Sequence, residues 1–400
     1  MSVTTSDTRG AIPSVAATLL PVIAVIFTGY LVIGIAMPVL PLHVHRDLGF
    51  GTFVVGLVAG SQFAASLISR FTAGHLADTT GTKPVVVSGL IAAAAAGLLY
   101  GLSLEFVEMP TLSLAVLLLG RAVLGGAESF MVAGALNWGV ALAGPANTGR
   151  VMSWVGTAMY VAFAAGAPVG SALFARHGFA AIALTTMLIP LATLVLVAPL
   201  RGIPPQHHAR RAVTKVLGAV AVPGLGLALS CVGFGAITTF VALLFAHNGW
   251  TAAWIALTAV STAFIAGRLA FGHLPDRIGG PRVALVCILI EAAGLVVIWL
   301  AATRLAVFGG AALAGLGYSL VYPGFGVEAI RRAPPESRGL AMGAYTACLD
   351  LALGITAPLL GLIAGGAGLN AVFLASALIV LTGGCIALHL MRSAATDTRA

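Results

Sequence analysis

Long apolar runs follow one another along almost the whole chain of 400 residues. Because the hydrocarbon core of a bilayer is about 30 Å thick, a helix needs about 20 apolar residues to cross it. Twelve such runs lie near 15–40, 51–73, 84–104, 111–136, 151–175, 179–200, 216–246, 251–273, 283–303, 305–328, 339–364 and 369–391. The sequence therefore predicts an all-α polytopic membrane protein with twelve transmembrane helices.

The composition excludes several other classes of protein. Hydrophobic residues make up 60% of the chain and charged residues 8%, whereas a soluble domain is about 25% charged. Aromatic residues make up 7%, which argues against a stacking platform for nucleic acid. The four cysteines lie in apolar runs without a CxxC pair, so we expect buried thiols rather than a disulfide or a metal site. We expect no cofactor and no nucleic-acid partner.

Basic residues predict the orientation of the chain. With twelve helices and both termini in the cytoplasm, Arg46, Arg176 and Arg304 fall outside and Arg121 falls within the bilayer. The other sixteen of the 20 Lys and Arg residues then lie on the cytoplasmic side. This bias is typical of cytoplasmic loops, so the formal charge of +8 is interpreted as a topology signal.

One long polar stretch, 201–215, divides the chain near its middle. We predict that it is a cytoplasmic linker between two six-helix bundles, 15–200 and 216–391, with cytoplasmic tails at 1–14 and 392–400. The adjacent His207 and His208 in this stretch fit a solvated linker better than a metal site.

An internal repeat supports the division into two halves. Segment 70–78 aligns with 268–276 at an offset of 198, with identical Arg, Gly-His-Leu and Asp residues. A weaker repeat relates Arg150 and Gly166 to Arg338 and Gly354 at an offset of 188. Parallel repeats of this kind occur in transporters whose substrate site lies between the halves, near the middle of the membrane.

The segment that begins the repeat resembles a known signature. GHLADTTGTK, residues 74–83, resembles the loop between helices two and three of the major facilitator superfamily. Thr79 and Thr82 stand where that signature has basic residues. The matching positions are Gly74, Leu76, Asp78, Gly81 and Lys83, and in the second copy Gly272, Asp276, Arg277, Gly279 and Arg282.

Other stretches extend the resemblance over essentially the whole chain. GRAVLGG, from Gly120, is similar to the R-x-x-x-G signature of the fourth helix, and GAPVG, from Gly166, to the core of the fifth-helix antiporter motif. More narrowly, GRAVLGGAESF, GFGAITTF and YTACLDLALGITAP resemble the YhhS/YfcJ group of bacterial efflux permeases. The resemblance implies alternating access by rocking halves, a multi-pass location in the bacterial inner membrane and a functional monomer.

The resembling motifs suggest physical roles. Gly74 and Gly272 allow helices to approach closely because they lack side chains. The resemblance places Asp78 beside the start of the eleventh helix, where it would latch one conformation; a simple turn with a solvated Asp78 is the alternative. Pro168 between Gly166 and Gly170 either bends the fifth helix or serves packing alone.

Four ionisable residues fall well inside predicted helices: Arg121, Glu128, Glu291 and Asp350. Each costs at least about 2.5–3.5 kcal/mol in a bilayer, so each is a functional candidate. Arg121 and Glu128 are seven residues apart, which places them on nearly one helix face about 10 Å apart. They predict a polar cavity in which Glu128 carries a proton, or alternatively a static structural pair.

Asp350 has no basic residue within two turns of its own helix. It must therefore face a cavity, pair across the interface or be protonated, and it is our second proton-coupling candidate. Glu291 is a third candidate, although the fold places its helix at the periphery. The substrate-cavity candidates are Arg121, Tyr30, Gln62, Phe234, Tyr318 and Tyr345, some of which are alternatively ordinary packing residues.

These observations predict a secondary transporter that exports a small molecule, such as a sugar or drug-like compound, in exchange for protons. A proton-coupled importer of a small polar or anionic solute is the alternative. The chain lacks a GxxxxGK[ST] segment for ATP binding and an HExxH segment or Ser/His/Asp arrangement for an enzyme. A sensor would need a soluble output domain, and the sequence shows none.

Overall fold

The computed structural model describes residues 15–144, 147–204, 213–334 and 337–397. Within these ranges the chain is helical and contains no strand. We number the membrane-crossing helices α1 to α12. Their limits are α1 Val15–Ala36, α2 Thr52–Thr80, α3 Thr82–Leu104, α4 Pro110–Ala143, α5 and α6 within Thr148–Val197, α7 Val213–His247, α8 Trp254–Phe271, α9 Gly280–Trp299, α10 Arg304–Arg332, α11 Arg338–Ala367 and α12 Leu369–Asp397.

The number of crossings depends on the 50-residue helix Thr148–Val197. Among the described residues, eleven helical spans are long and apolar enough to cross a membrane. A helix of this length measures about 75 Å, more than twice the hydrocarbon core. Gly178, with φ 65° and ψ −163°, interrupts it by a conformation that favours glycine. The chain therefore crosses twelve times, as α5 (148–177) and α6 (179–197), which confirms the predicted fold.

Shorter helical pieces follow α1 and α8, and α10 is divided in two. After α1 the chain continues through a short helix, Leu40–Leu42, and a π-helical turn, His43–Asp47. Helix α10 consists of Arg304–Tyr318 and Val321–Arg332. A short helix, Leu274–Ile278, follows α8.

Twelve crossings bring both ends of the described chain to one side of the bundle. We call this side the basic end, because its turns carry Lys83, Arg201, Arg277 and Arg331. The other side, with the turns at 48–51, 105–109 and Gly178, is the opposite end. Helices α1–α6 pack together, as do α7–α12, and the two sets meet mainly where α2 packs on α11 and α5 packs on α8. Most of the predicted linker, 205–212, lies outside the described residues.

Candidate functional site

A group of polar side chains lies at the α2–α11 contact and reaches α1 and α4. We call this group the central cluster; it comprises Tyr30, Gln62, Ser66, Arg70, Glu128, Ser129 and Asp350. Helix α2 organises it, because Gln62, Ser66 and Arg70 are spaced four residues apart and so share one helix face. That face meets α4 on one side and α11 on the other.

Glu128 accepts hydrogen bonds from two uncharged donors. The Tyr30 hydroxyl donates to Glu128 Oε1 at 2.7 Å, and Gln62 Nε2 donates to Oε2 at 2.8 Å. Glu128 is buried, with 7% exposure. The Oε1 atom of Gln62 is also buried and has no hydrogen-bond partner among the described residues. The site around Glu128 is thus rich in hydrogen-bond acceptors.

Asp350 forms an ion pair that joins the two halves. Arg70 Nε donates to Asp350 Oδ2 at 2.9 Å, a second guanidinium nitrogen donates to the same oxygen, and Ser66 Oγ lies 3.4 Å from it. Of the three environments considered for Asp350, the structure shows a partner across the interface. Arg70, which the charge count assigned to the cytoplasmic side, lies within α2, about ten residues before its end at Thr80.

Two serines connect these carboxyl sites. Ser129 Oγ donates to the Ser66 carbonyl oxygen at 2.7 Å, and the two hydroxyl oxygens are 2.9 Å apart. Ser129 follows Glu128 in α4, and Ser66 contacts Asp350. Helix α2 therefore contacts both proton-coupling candidates, Glu128 through Gln62 and Asp350 through Ser66 and Arg70.

Arg121 does not join Glu128 in this structure. Its Nε donates to the Val58 carbonyl oxygen at 3.2 Å, and its other nitrogens lie near Tyr100 Oη and the Ala59 carbonyl oxygen at 3.4 and 3.5 Å. The shared polar cavity expected from the seven-residue spacing is not seen among the described residues, because the arginine turns to the carbonyls of α2.

The space at Gly125, between those two residues, is also occupied. A Cβ atom built on Gly125 would lie 2.8 Å from the carbonyl carbon of Gln62. The absent side chain at this position lets α4 approach the backbone of α2, and it leaves no room there for a substrate.

Six aromatic rings form a second group, the aromatic cluster, drawn from both halves: Tyr30, Tyr160, Phe163, Phe234, Phe264 and Tyr318. Tyr160 of α5 stacks on Phe264 of α8 with ring centroids 3.5 Å apart. Tyr30 contacts Phe163 at 5.4 Å and so belongs to both clusters. The structure thus brings together the cavity candidates Tyr30, Phe234 and Tyr318.

Tyr345 lies outside this group. Its hydroxyl donates to the Tyr322 carbonyl oxygen at 2.8 Å, and the two rings are 5.1 Å apart. Tyr345 is completely buried, so in this conformation it acts as a packing residue.

Glu291 is completely buried, and neither carboxyl oxygen has a hydrogen-bond partner among the described residues. It faces α7, where a Cβ atom on Gly233 would lie 3.3 Å from its Cδ. Its own backbone faces Gly317 of α10. The helix was expected at the periphery of its half, and from it this side chain points toward α7, into the second half.

The residues of the signature segment lie at the end of α2 and the start of α3, at the basic end. Gly81 and Gly279 have φ of 91° and 97°, and Asp276 and Arg277 lie in the short helix that precedes Gly279. Lys83 Nζ donates to the Ala198 and Leu200 carbonyl oxygens at 2.7 and 2.8 Å, which ties α3 to the end of α6.

Close helix approach is not seen at the signature glycines. A Cβ atom on Gly74 would meet no described atom within 4 Å, and one on Gly272 would meet the carbonyl oxygen of Arg268 in its own chain segment. The helices approach closely at Gly60 instead, where a Cβ atom would lie 2.5 Å from the Gly354 carbonyl oxygen. The latch at Asp78 stays a prediction.

The fifth-helix motif serves packing in this structure. Cβ atoms on Gly166 and Gly170 would lie 2.7 Å from the carbonyl carbons of Gly34 and Ile35 of α1. The backbone stays helical through Pro168, because Gly178 is the one residue of this long helix with non-helical torsion angles. The close α1–α5 contact favours the packing alternative.

Arg70, Ser66 and Ser129 are the members of the central cluster that the sequence analysis missed as site residues. A signal for two of them was present, because Gln62, Ser66 and Arg70 repeat at intervals of four residues in an otherwise apolar segment. Arg70 lies within the predicted run 51–73, so this periodicity would have placed it on one helix face with Gln62 and Ser66.

A family model described as Major Facilitator Superfamily matches residues 22–253 and 223–399. An uncharacterized MFS-type transporter of Salmonella typhimurium is 41% identical over 379 residues, 95% of this chain and 98% of the relative. Another of Pseudomonas aeruginosa is 42% identical over 366 residues, 92% of this chain and 91% of the relative.

Solved structures share the fold at low sequence identity. A bacterial homologue of the human lysosomal transporter Spinster has a TM-score of 0.76 at 12% identity, over 97% of this chain and 99% of that one. The POT family transporter PepTSo has a TM-score of 0.72 at 10% identity, over 94% of this chain and 98% of that one.

Proposed function

Because the chain belongs to the major facilitator superfamily and is a multi-pass membrane transporter, we propose that it exports a small molecule in exchange for protons. The proposal concerns the coupling ion and the direction of transport. In it the basic end faces the cytoplasm, following the bias of basic residues, and the membrane is the bacterial inner membrane.

The observation that carries the proposal is the ion pair between Arg70 and Asp350, which joins the halves inside the membrane. Removing one partner of a buried pair costs about 3–5 kcal/mol, and protonation of Asp350 removes its charge. A proton on this carboxyl would therefore weaken the contact between α2 and α11 and release the halves for rocking.

Glu128 supplies the second step of this mechanism. Its hydrogen bonds to Tyr30 and Gln62 hold the carboxylate without a fixed cation. A proton at Glu128 removes an uncompensated buried charge, so loading and release at this residue can follow the side to which the site opens.

Export rather than import is supported by residues 166–170 and by the resemblance to bacterial efflux permeases. The alternative, a proton-coupled importer of a small polar or anionic solute, would use the same two carboxyls. In export by exchange the proton and the substrate compete for the site, whereas in proton-coupled import they occupy it together.

The test begins with a ligand panel of arabinose, benzamidine and benzoate, read by the thermal unfolding of purified protein. The compound that stabilises is then loaded into proteoliposomes, and its flux is measured under a pH gradient. We expect Glu128→Gln and Asp350→Asn each to abolish the response to the gradient, whereas Glu108→Gln, at an exposed carboxyl, keeps it. A full response in both neutralised variants would refute proton coupling at the central cluster.

A further inference from the structure

We propose that the central cluster binds a monovalent organic cation with N–H donors and an aromatic or apolar body, and that this cation and the proton replace each other at Glu128. The inference rests on the proposed proton coupling and adds the substrate class and the stoichiometry. It is carried by the charges, the hydrogen-bond acceptors and the rings around Glu128.

The acidic and basic groups of the central cluster are unequal in number. It contains two carboxyls, Glu128 and Asp350, and one guanidinium, Arg70. Arg70 donates twice to Asp350, whereas Glu128 receives hydrogen bonds from neutral Tyr30 and Gln62. With both carboxyls ionised the cluster carries one excess negative charge, which is costly in a buried site. One monovalent cation or one proton removes it.

The other buried arginine on α4 does not supply that cation. Arg121 directs its nitrogens to the Val58 and Ala59 carbonyl oxygens and to Tyr100. It lies seven residues from Glu128, about 10 Å along the helix axis. These contacts give Arg121 uncharged partners in α2 and α3, so Arg121 forms no ion pair with Glu128 in this structure.

The hydrogen-bonding groups beside Glu128 include an unpaired acceptor, which a ligand with an N–H donor would satisfy. Gln62 uses its amide nitrogen on Glu128, which leaves its Oε1 atom buried and without a partner among the described residues. A buried acceptor of this kind is costly when unpaired. An ammonium or amidinium group would donate to both Glu128 and Gln62, whereas a carboxylate would be repelled and has no hydrogen to give.

The aromatic cluster adjoins Glu128 through Tyr30, whose ring contacts Phe163 at 5.4 Å. Phe163 contacts Phe234 of the other half at 6.2 Å. Aromatic faces attract cations by about 0.5–2 kcal/mol and offer apolar area to the rest of the molecule. Arg268 already lies over Phe264, 5.9 Å from the ring centroid, at the far edge of the same cluster. The Tyr30 edge is left for a ligand.

The rings are packed against one another in this structure, with Tyr160 and Phe264 only 3.5 Å apart. A ligand therefore reaches the Tyr30 edge when α5 and α8 separate, which couples its entry to the movement of the halves. Either a proton or a monovalent cation restores the charge balance, and one proton serves Asp350 and Glu128 in turn. Each transport cycle therefore exchanges one for one and moves no net charge.

The experiment uses three molecules of nearly equal shape: benzamidine, which is a cation, benzamide, which is neutral, and benzoate, which is an anion. We expect benzamidine alone to bind purified full-length protein. Its affinity should rise with pH, by up to about tenfold per unit, because proton and cation compete for one site. In proteoliposomes a pH gradient should drive its flux, and clamping the membrane potential with potassium and valinomycin should change that flux less than twofold.

Variants locate the effect at Glu128. Glu128→Gln should abolish binding and its pH dependence, and Tyr30→Leu should weaken binding at least fivefold because a ring and a hydrogen bond are lost. Tyr345→Phe, at a buried tyrosine outside both clusters, should leave affinity unchanged. If Glu128→Gln does not fold, Tyr30→Leu and the pH profile of the unaltered protein still decide the question.

The outcomes separate the inference from the proposed function. Proton-coupled flux of benzoate or arabinose through Glu128, without benzamidine binding, would overturn the cation site and leave proton coupling intact. Benzamidine flux that follows the membrane potential would overturn the one-for-one replacement. Flux of every bound compound without response to a pH gradient would overturn both.

Discussion

The two contacts between the halves are related by the internal repeat but use different chemistry. Helices α2 and α8 carry the repeated arginines Arg70 and Arg268. Arg70 pairs with Asp350 of α11, whereas Arg268 lies over Phe264 and against Gly156 of α5. At the offset of 188, Asp350 corresponds to Ala162, so the acid has no counterpart. One contact can respond to a proton, and its relative cannot.

The surroundings of the two arginines reinforce this difference. The α2–α11 contact is close at backbone level, with Gly60 against Gly354 and with Thr52 Oγ1 donating to the Gly361 carbonyl oxygen at 2.7 Å. The α5–α8 contact has the stacked Tyr160 and Phe264 and one hydrogen bond, from Thr258 Oγ1 to the Ala164 carbonyl oxygen at 3.1 Å. The two repeats thus share the arginine, and each arginine has a partner of different chemistry.

The largest expected effect concerns the ion pair itself. Arg70→Gln or Asp350→Asn should each destabilise the protein by about 3–5 kcal/mol, because each leaves a buried group without its partner. The double variant Arg70→Gln/Asp350→Asn should lose much less than the sum of the two single losses, because no charge is left unpaired, and it should not recover transport. Thermal unfolding of the two single variants and the double variant measures the coupling.

Additive losses in that comparison would contradict a direct interaction between the two side chains. The same substitution at the related arginine, Arg268→Gln, provides the control. We expect it to cost much less, because no described carboxylate pairs with Arg268.

The second effect tests the backbone contact of α2 with α11. Gly60→Ala should cost about 1–3 kcal/mol, since the added methyl group would overlap the Gly354 carbonyl oxygen. Gly74→Ala, on the same helix with open space around it, should cost almost nothing. Thermal unfolding of both variants provides the measurement, and equal losses would show that α2 and α11 are not in contact at Gly60.

The third effect tests the aromatic contact of α5 with α8. Tyr160→Leu removes the stacked pair, which contributes about 0.5–1.5 kcal/mol beyond its buried area. We expect a correspondingly small loss of stability that does not vary with pH. A strongly pH-dependent loss in unfolding experiments from pH 5 to pH 8 would contradict the distinction between the two contacts.

The smallest effect comes from giving the α5–α8 contact an acid. A Cβ atom on Gly156 would lie 3.0 Å from a guanidinium nitrogen of Arg268, so Gly156→Asp should create a second ion pair. We expect a gain of about 0.5–1 kcal/mol near neutral pH that disappears when the carboxyl is protonated. Gly156→Asn is the matched control, and an equal gain in that variant would exclude an ion pair as the cause.

Much of the fold followed from hydropathy, because each crossing must satisfy its backbone hydrogen bonds internally. The twelve apolar runs correspond to α1–α12, including the two that share one continuous helix at Gly178. The main error was the end of α2: the apolar run stops near residue 73, but the helix continues to Thr80. Because Arg70 lies within one turn of the predicted end, it was counted with the residues of the cytoplasmic side.

The candidate site was predictable only as a set of separate residues. The cost of charge in a membrane marked Glu128, Asp350, Glu291 and Arg121, but spacing along one helix does not determine which neighbouring helix a side chain meets. Arg121 turned to the carbonyls of α2, and Asp350 met Arg70, 280 positions away in the chain. Contacts between distant segments depend on packing that periodicity does not describe.

The single glycine joint between α5 and α6 has a mechanical consequence. Because Gly178 alone separates them, there is no loop at the opposite end to absorb movement between the helix that contacts α8 and its outer neighbour. Any tilt of α5 therefore moves α6 with it. Short epitope insertions should be accepted within 105–109, where five residues join α3 to α4, and should disable the protein at Gly178.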